Sequence, residues 1–164
     1  MKTLLTFVAI AISAISLTAY ADSTLTIEGV HNCCKKCEKG INAAVATVPG
    51  ATAVITKETV VITAASEADT KKVAAALGEA GYYGKGIDAP ETAATVNAKT
   101  GTIHGLHVCC QKCADAVNKA AESVPGVTKS GAEKTSKEVV VEGDFAPSAL
   151  QAALLKAGFN CTVK

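Results

Sequence analysis

Six of the chain's seven cysteines fall in two short stretches of one design. Residues 29–40 read GVHNCCKKCEKG and residues 105–116 read GLHVCCQKCADA, so His-x-Cys-Cys-x-x-Cys occurs twice, 76 residues apart. Cys34 and Cys37 stand three apart where a helix is expected to begin, as do Cys110 and Cys113, so both sulfurs of a pair can lie in its first turn. Unpartnered backbone amides and the positive end of the helix dipole favour thiolate there. Lys35, Lys36 and Lys112 add positive charge. Thiolates select soft ions such as Cu(I) and Zn(II). Two suffice for linear Cu(I) or Hg(II), whereas tetrahedral zinc needs four ligands. His31, Cys33, Cys34 and Cys37 form one candidate set, and His107, Cys109, Cys110 and Cys113 the other. Cys33 and Cys34 are adjacent and can point in opposite directions, which would leave only one of them facing the site. The same thiols could also exchange electrons or be oxidised into structural crosslinks.

The histidines have a plain reading beside the functional one. His31 continues the alternation Leu25, Ile27, Gly29 towards the end of a strand, where a solvent-facing side chain is common. Its recurrence as His107, two residues before the paired cysteines in both copies, raises the weight of a ligand role. His104 has no counterpart, since Glu28 occupies the matching place, and is expected at the surface.

The elements that must position these residues also occur twice. At an offset of 76, Ile27 matches Ile103, Gly29 matches Gly105, and VPG at 48–50 matches VPG at 124–126. TVVIT (59–63) answers EVVVE (138–142), and AALGEAGYYG (75–84) answers AALLKAGFNC (152–161). A repeat of this kind decides domain count before any other reading, and it indicates a tandem duplication. In each copy the pattern runs strand, helix, strand, strand, helix, strand. TLTIEGV alternates like a half-buried strand. Ile41, Ala44, Val45 and Val48 recur at helical spacing until Pro49-Gly50 stops the helix. TAVIT and TVVIT are β-branched runs across a hairpin signal at Lys57-Glu58. Val73, Ala76, Leu77 and Ala80 stripe a second helix that Gly81 closes, with Gly158 closing its counterpart. YYGKGI is expected as a weaker last strand, with Tyr82 and Tyr83 as core and rim residues.

These residues resemble the heavy-metal-associated domain, a family that includes copper chaperones, modules of copper ATPases and the periplasmic mercuric-ion binding protein. IEG at 27–29, CKKCEKGINAAVATVPGA at 34–51 and CQKCADAVNKAAESVPGV at 110–127 follow the family pattern, and AGYYG and AGFNC are similar to its stretch leading into the last strand. The resemblance implies an α+β architecture of two tandem ferredoxin-like βαββαβ sandwich units. It also implies metal binding at Cys34/Cys37 and Cys110/Cys113. Two departures accompany it. The loop before each pair is two residues longer, gaining His31 and Cys33 in one copy and His107 and Cys109 in the other. Val30 and Leu106 stand where the family usually has Met. In the implied fold, Cys161 would lie near the metal loop, as a further ligand or disulfide partner of Cys110 or Cys113, or else as a buried small hydrophobe.

The N-terminus carries a separate signal. Residues 1–21 hold one lysine, an apolar run from Leu4 to Leu17 and Ala19-Tyr20-Ala21, the layout of a secretory signal peptide removed after Ala21. The expected organisation is therefore residues 1–21 as signal, 22–88 as the first unit, 89–99 as a polar, Pro-containing linker, and 100–164 as the second unit. Export would place the thiols in the periplasm or outside the cell, where disulfides persist. A net charge of +1 with 4% aromatic residues argues against nucleic-acid binding. No nucleophile triad, phosphate loop or carboxylate pair suggests catalysis. The sequence thus points to a non-enzymatic protein that sequesters or transfers soft metal ions, up to one Cu(I) or Zn(II) per unit. Its partners would be the ion and another metal-carrying protein reached by ligand exchange, with no membrane association once the signal is removed. A thiol–disulfide redox protein and a disulfide-stabilised interaction module are the alternatives.

Overall fold

The structure is a computed structural model that describes residues 22–164; the expected signal peptide, residues 1–21, lies outside them. The first half runs β1 (Ser23–Glu28), α1 (Lys35–Val45), β2 (Thr52–Ile55), β3 (Thr59–Ala64) and α2 (Glu67–Glu79). The second runs β4 (Ala98–His104), α3 (Gln111–Glu122), β5 (Val127–Ser130), β6 (Glu138–Phe145), α4 (Pro147–Lys156) and β7 (Thr162–Val163). Every strand pair is antiparallel, in one sheet of order β1-β3-β2 and another of order β5-β6-β4-β7. No helix among the described residues is long and apolar enough to cross a membrane.

Alternation along the strands places the core. Val60, Ile62 and Ala64 of β3 turn inward onto Ile41 and Val45 of α1 and Val73 and Leu77 of α2. Val139 and Val141 of β6 meet Val117 of α3 and Leu150 and Leu154 of α4 in the same way. The buried residues of the two halves form one continuous apolar cluster. Continuity matters for stability, because a core of 65–70 residues alone supplies roughly 3–5 kcal/mol.

One expectation is corrected. YYGKGI does not form a strand: it makes only isolated bridges, Tyr82 with Phe159 and Lys85 with Glu28, so the first sheet has three strands. Gly84 and Gly86 flank the Lys85 bridge, and strand interiors lose stability at glycine, which has no side chain to pack. The backbone at Gly86, with φ of +111°, has left the extended region. β4 begins at Ala98. Its preceding residues are fastened to α4 by the buried Gln151, whose Oε1 accepts from the Ala93 N–H at 2.8 Å and whose Nε2 donates to the Glu91 carbonyl at 2.9 Å. The Ser148 N–H adds a bond to the Ala94 carbonyl.

The two halves meet through the ends of α2 and α4. Gly81 lies in the left-handed region at φ +86°, and the N–H groups of Gly81 and Tyr82 bond to the carbonyls of Gly78 and Leu77. This is the Schellman termination, and Gly158 and Phe159 repeat it on Leu155 and Leu154. The chain that leaves each termination pairs with its counterpart: Tyr83 N–H donates to Gly158 O at 3.0 Å, and Asn160 N–H to Gly81 O at 3.1 Å. No side chain fits at either glycine. A Cβ on Gly81 would stand 2.4 Å from the His107 nitrogen, and one on Gly158 would stand 2.4 Å from the His31 nitrogen. Each half's helix terminus therefore rests directly on the other half's Gly-x-His loop.

Candidate metal centre

Each cysteine motif is held from both sides. Gly29, at φ +83°, turns the chain out of β1, and the N–H groups of Gly29 and Val30 bond to the Glu58 carbonyl in the β2–β3 turn. Val30 and Leu106 are buried and anchor their loops. Asn32 Nδ2 donates to the Thr56 carbonyl at 2.8 Å. Cys34 and Cys110 then take the N-cap positions of α1 and α3, which puts Cys37 and Cys113 one turn later, fully buried against the core.

The helix-end contact between the halves brings the two motifs face to face. Within the first, Cys37 Sγ lies 3.8 Å from both Cys33 and Cys34. Within the second, Cys113 Sγ lies 3.8 Å from Cys109 and 3.7 Å from Cys110. Across the halves, Cys33 reaches Cys110 at 3.7 Å and Cys113 at 3.6 Å, while Cys34 reaches Cys109 and Cys110, each at 3.8 Å. Cys37 reaches Cys109 at 3.5 Å and Cys113 at 3.8 Å. All six sulfurs, three from each candidate set, thus form one cluster. The sulfurs of the adjacent Cys33 and Cys34 lie within 4.8 Å of one another, and the second motif supplies neighbours to each.

The histidines brace this junction. His31 stacks on Phe159 with ring centroids 4.5 Å apart, and His107 stacks on Tyr82 at 4.4 Å. Both stacks cross between the halves, and both aromatic rings are placed by the Schellman glycine immediately before them. Tyr82 Oη lies 2.9 Å from His107 Nε2 and donates to the Cys37 carbonyl at 2.9 Å. Phe159 has no hydroxyl, and His31 Nε2 is buried without a hydrogen-bond partner. His31, Cys33 and Cys113 nevertheless place ligand atoms within 4.8 Å of one another. His104 ends β4 between β6 and β7, half-buried, with Nδ1 3.2 Å from Glu138. Cys161 is buried apart from the cluster, and burial pushes its thiol up to about 12.

The six thiols do not ionise alike. Cys37 is held far below the ordinary thiol range, first by the hydrogen bond from Cys113 and then, against the penalty of burial, by His107 and Cys109. Cys113, its donor, is correspondingly raised. Burial raises Cys33 to about 12 and raises Cys109 as well. Cys110 falls to about 7: burial opposes the shift, and the Cys113 backbone and the surrounding thiols outweigh it. Burial lowers His31 and, together with the nearby thiols, raises Tyr82. Cys37 is thus the most strongly favoured thiolate, ringed by thiol donors. Ionising the raised thiols needs positive charge inside the cluster, and soft cations supply it. Two open clefts lead in from opposite sides, one of about 290 Å³ at Cys33, Lys57 and Lys156, the other of about 400 Å³ at Cys109, His107 and Lys137.

Sequence reasoning missed the convergence itself, the roles of Tyr82 and Phe159, and the part played by Gly81 and Gly158. The signal available was Ala-Gly followed by an aromatic residue, at 80–82 and at 157–159.

Residues 100–160 match the model of the heavy-metal-associated domain. Among solved structures, the chain is similar to a protein studied for crosstalk between Cu(I) and Zn(II) homeostasis, at 26% identity over 41% of this chain and 100% of that one, with a TM-score of 0.38. It is similar to oxidized MerP from Ralstonia metallidurans CH34 at 29% identity, over 40% of this chain and 94% of that one, with a TM-score of 0.37. The N-terminal soluble domains of Bacillus subtilis CopA align at 21% identity, over 88% of this chain and 95% of those domains, with a TM-score of 0.34. None of the curated proteins matches.

Proposed function

We propose that the protein is an exported, non-enzymatic carrier of soft metal ions. It is built from two heavy-metal-associated-like units that hold their cargo jointly, for sequestration or for transfer to another metal-carrying protein. The observation that carries this reading is the meeting of all six motif sulfurs at 3.5–3.8 Å across the junction of the halves. A redox pair needs only two such sulfurs and a crosslinked module needs them bonded, whereas clustered free thiols are the arrangement that a thiophilic cation stabilises. The heavy-metal-associated match over residues 100–160 supports the same reading.

In this reading Cys33, Cys34, Cys37, Cys109, Cys110 and Cys113 are the ligands. His31 and His107 clamp the two loops, and His107 supports the Cys37 thiolate. The half-exposed Cys33, Cys34, Cys109 and Cys110 face the side from which ions exchange, and Cys37 and Cys113 form the floor.

The test is anaerobic titration of the reduced protein with Cu(I), Zn(II) and Hg(II) against chelators of graded affinity. Retention of at least one of these tighter than micromolar is expected. That affinity should fall in Cys37→Ser and in Cys113→Ser alike, since a substitution in either half removes part of the shared site. Absence of tight binding by every ion would overturn the proposal, as would a Cys113→Ser variant whose first-half site binds unchanged.

A further inference from the structure

We propose that the site takes up four Cu(I) ions at once, as a tetracopper hexathiolate cluster; this deepens the metal-carrier reading and rests on it. The argument is the shape of the sulfur cluster. Each sulfur has neighbours at 3.5–3.8 Å, except that the adjacent pairs Cys33/Cys34 and Cys109/Cys110 are held slightly wider, within 4.8 Å. The pairs left over, Cys33/Cys109, Cys34/Cys113 and Cys37/Cys110, have no such approach. Those are the edges and the three body diagonals of an octahedron.

An octahedron of sulfur restricts which metals fit and where. No four of its vertices are mutual neighbours, so the cluster contains no tetrahedron of thiolates of the kind structural zinc requires. A single ion at the centre would lie about 2.6 Å from every sulfur, well beyond the roughly 2.3 Å of a first-row metal–thiolate bond. The centre of a triangular face, by contrast, lies about 2.1 Å from its three sulfurs, within small relaxation of that bond length. Three-coordinate sulfur sites suit Cu(I), a soft ion whose filled d shell imposes no higher coordination.

Four alternate faces of an octahedron share vertices but no edges. Cys33–Cys34–Cys37, Cys34–Cys109–Cys110 and Cys37–Cys109–Cys113 are three of these, each with sulfurs within 4.8 Å of one another. Cys33–Cys110–Cys113, with edges of 3.7, 3.6 and 3.7 Å, is the fourth. Each cysteine occurs in two of the four faces, so every thiolate bridges two coppers and every copper has three sulfurs. The step balances without electron transfer: six thiolates and four Cu(I) ions give a cluster of charge 2−, and each cysteine still protonated beforehand releases one proton. Lys57 and Lys156 beside Cys33, Lys137 beside Cys109, and the N-termini of α1 and α3 face the residual negative charge. The ions enter as an exchangeable Cu(I) chelate.

The experiment is anaerobic addition of Cu(I), as its acetonitrile complex, to the reduced full chain, followed by native mass spectrometry and copper X-ray absorption. Expected is a direct passage from metal-free to four-copper protein with little of the one-, two- or three-copper species. Each copper should have three sulfur neighbours and copper–copper scattering. Cys33→Ser removes one vertex and should abolish the four-copper species, while circular dichroism reports its fold; Cys161→Ser should keep all four. Saturation at one or two coppers without copper–copper scattering would overturn the cluster while leaving the carrier reading intact. So would an unchanged four-copper species in Cys33→Ser. Failure to retain Cu(I), Zn(II) or Hg(II) at all would overturn both.

Discussion

Replacing Gly40 by alanine should destabilise this protein, and the same replacement should stabilise a variant that lacks one oxygen atom elsewhere. Gly40 lies inside α1, where Gly→Ala ordinarily contributes about 1 kcal/mol in favour of the helix. Here an added Cβ would stand 2.4 Å from Tyr82 Oη and 3.3 Å from His107 Cε1. Tyr82 is buried, so its ring can yield only by giving up the hydrogen bonds to His107 Nε2 and the Cys37 carbonyl. Two lost bonds amount to about 2 kcal/mol, and a buried acceptor left unpartnered adds roughly 1–3 kcal/mol. Net destabilisation of Gly40→Ala is therefore about 2–4 kcal/mol. Tyr82→Phe loses the same bonds but removes the obstacle. In that background the methyl fills the vacated space, and Gly40→Ala should contribute about 1 kcal/mol of stability. The second half already carries this combination, with Ala116 and Phe159 at the matching positions. Urea unfolding of the four proteins, reduced and metal-free so that bound ions do not shift the equilibrium, reads the coupling directly. Equal effects of Gly40→Ala in both backgrounds, within about 0.5 kcal/mol, would refute the assignment of Tyr82 as the group that requires glycine.

Other outcomes follow from the same contacts. Gln151→Ala removes the fastening of the segment before β4 and a third bond, from Nε2 to the Cys161 carbonyl at 3.1 Å; it should destabilise by about 2–4 kcal/mol, with faster hydrogen exchange at the Ala93 amide. Cys161→Ala should cost about 1 kcal/mol and leave metal stoichiometry unchanged, as competition titration would record. Soft-metal affinity should rise with pH, because Cys33, Cys109 and Cys113 are raised and must release protons on binding. The gain is roughly tenfold per pH unit for each proton displaced. It should become less steep above the Cys110 value of about 7, where that thiol is already ionised; an affinity that falls between about pH 6 and about pH 8 would contradict the order of ionisation. Gly158→Ala forces a methyl against the His31 backbone and should loosen the junction, lowering metal affinity through loops that still contain every cysteine.

The parts of this structure that were legible in the sequence are the local ones. The helix starts at the cysteine pairs, the hairpin at Lys57-Glu58 and the terminations at Gly81 and Gly158 each depend on a few neighbouring residues whose types state their conformations. What one cysteine motif does to the other depends on docking between distant segments. That docking rests on two glycines whose lack of a side chain matters only against a surface supplied by the other half. The sequence alone leaves open, for the same reason, whether Cys33 faces the site. Its sulfur lies 3.8 Å from Cys37 of its own motif and 3.6 Å from Cys113 of the other, and only the docked structure shows the second contact. The missing strand at YYGKGI shows the opposite limit: its apolar residues pack as expected, with Tyr82 and Ile87 buried, but the glycines between them do not hold a ladder.

The two helices that carry the thiols begin differently from α2. Ser66 caps α2 by accepting from the Asp69 N–H, whereas Cys34 and Cys110 occupy the same position on α1 and α3 with no side-chain hydrogen bond to the helix. A good cap is worth about 1 kcal/mol, so both motif helices forgo that anchorage at their first turns. An uncapped first turn frays more readily than a capped one. An ion that fixed Cys34 and Cys110 as thiolates would supply the missing restraint, clamping both helix starts in the same event.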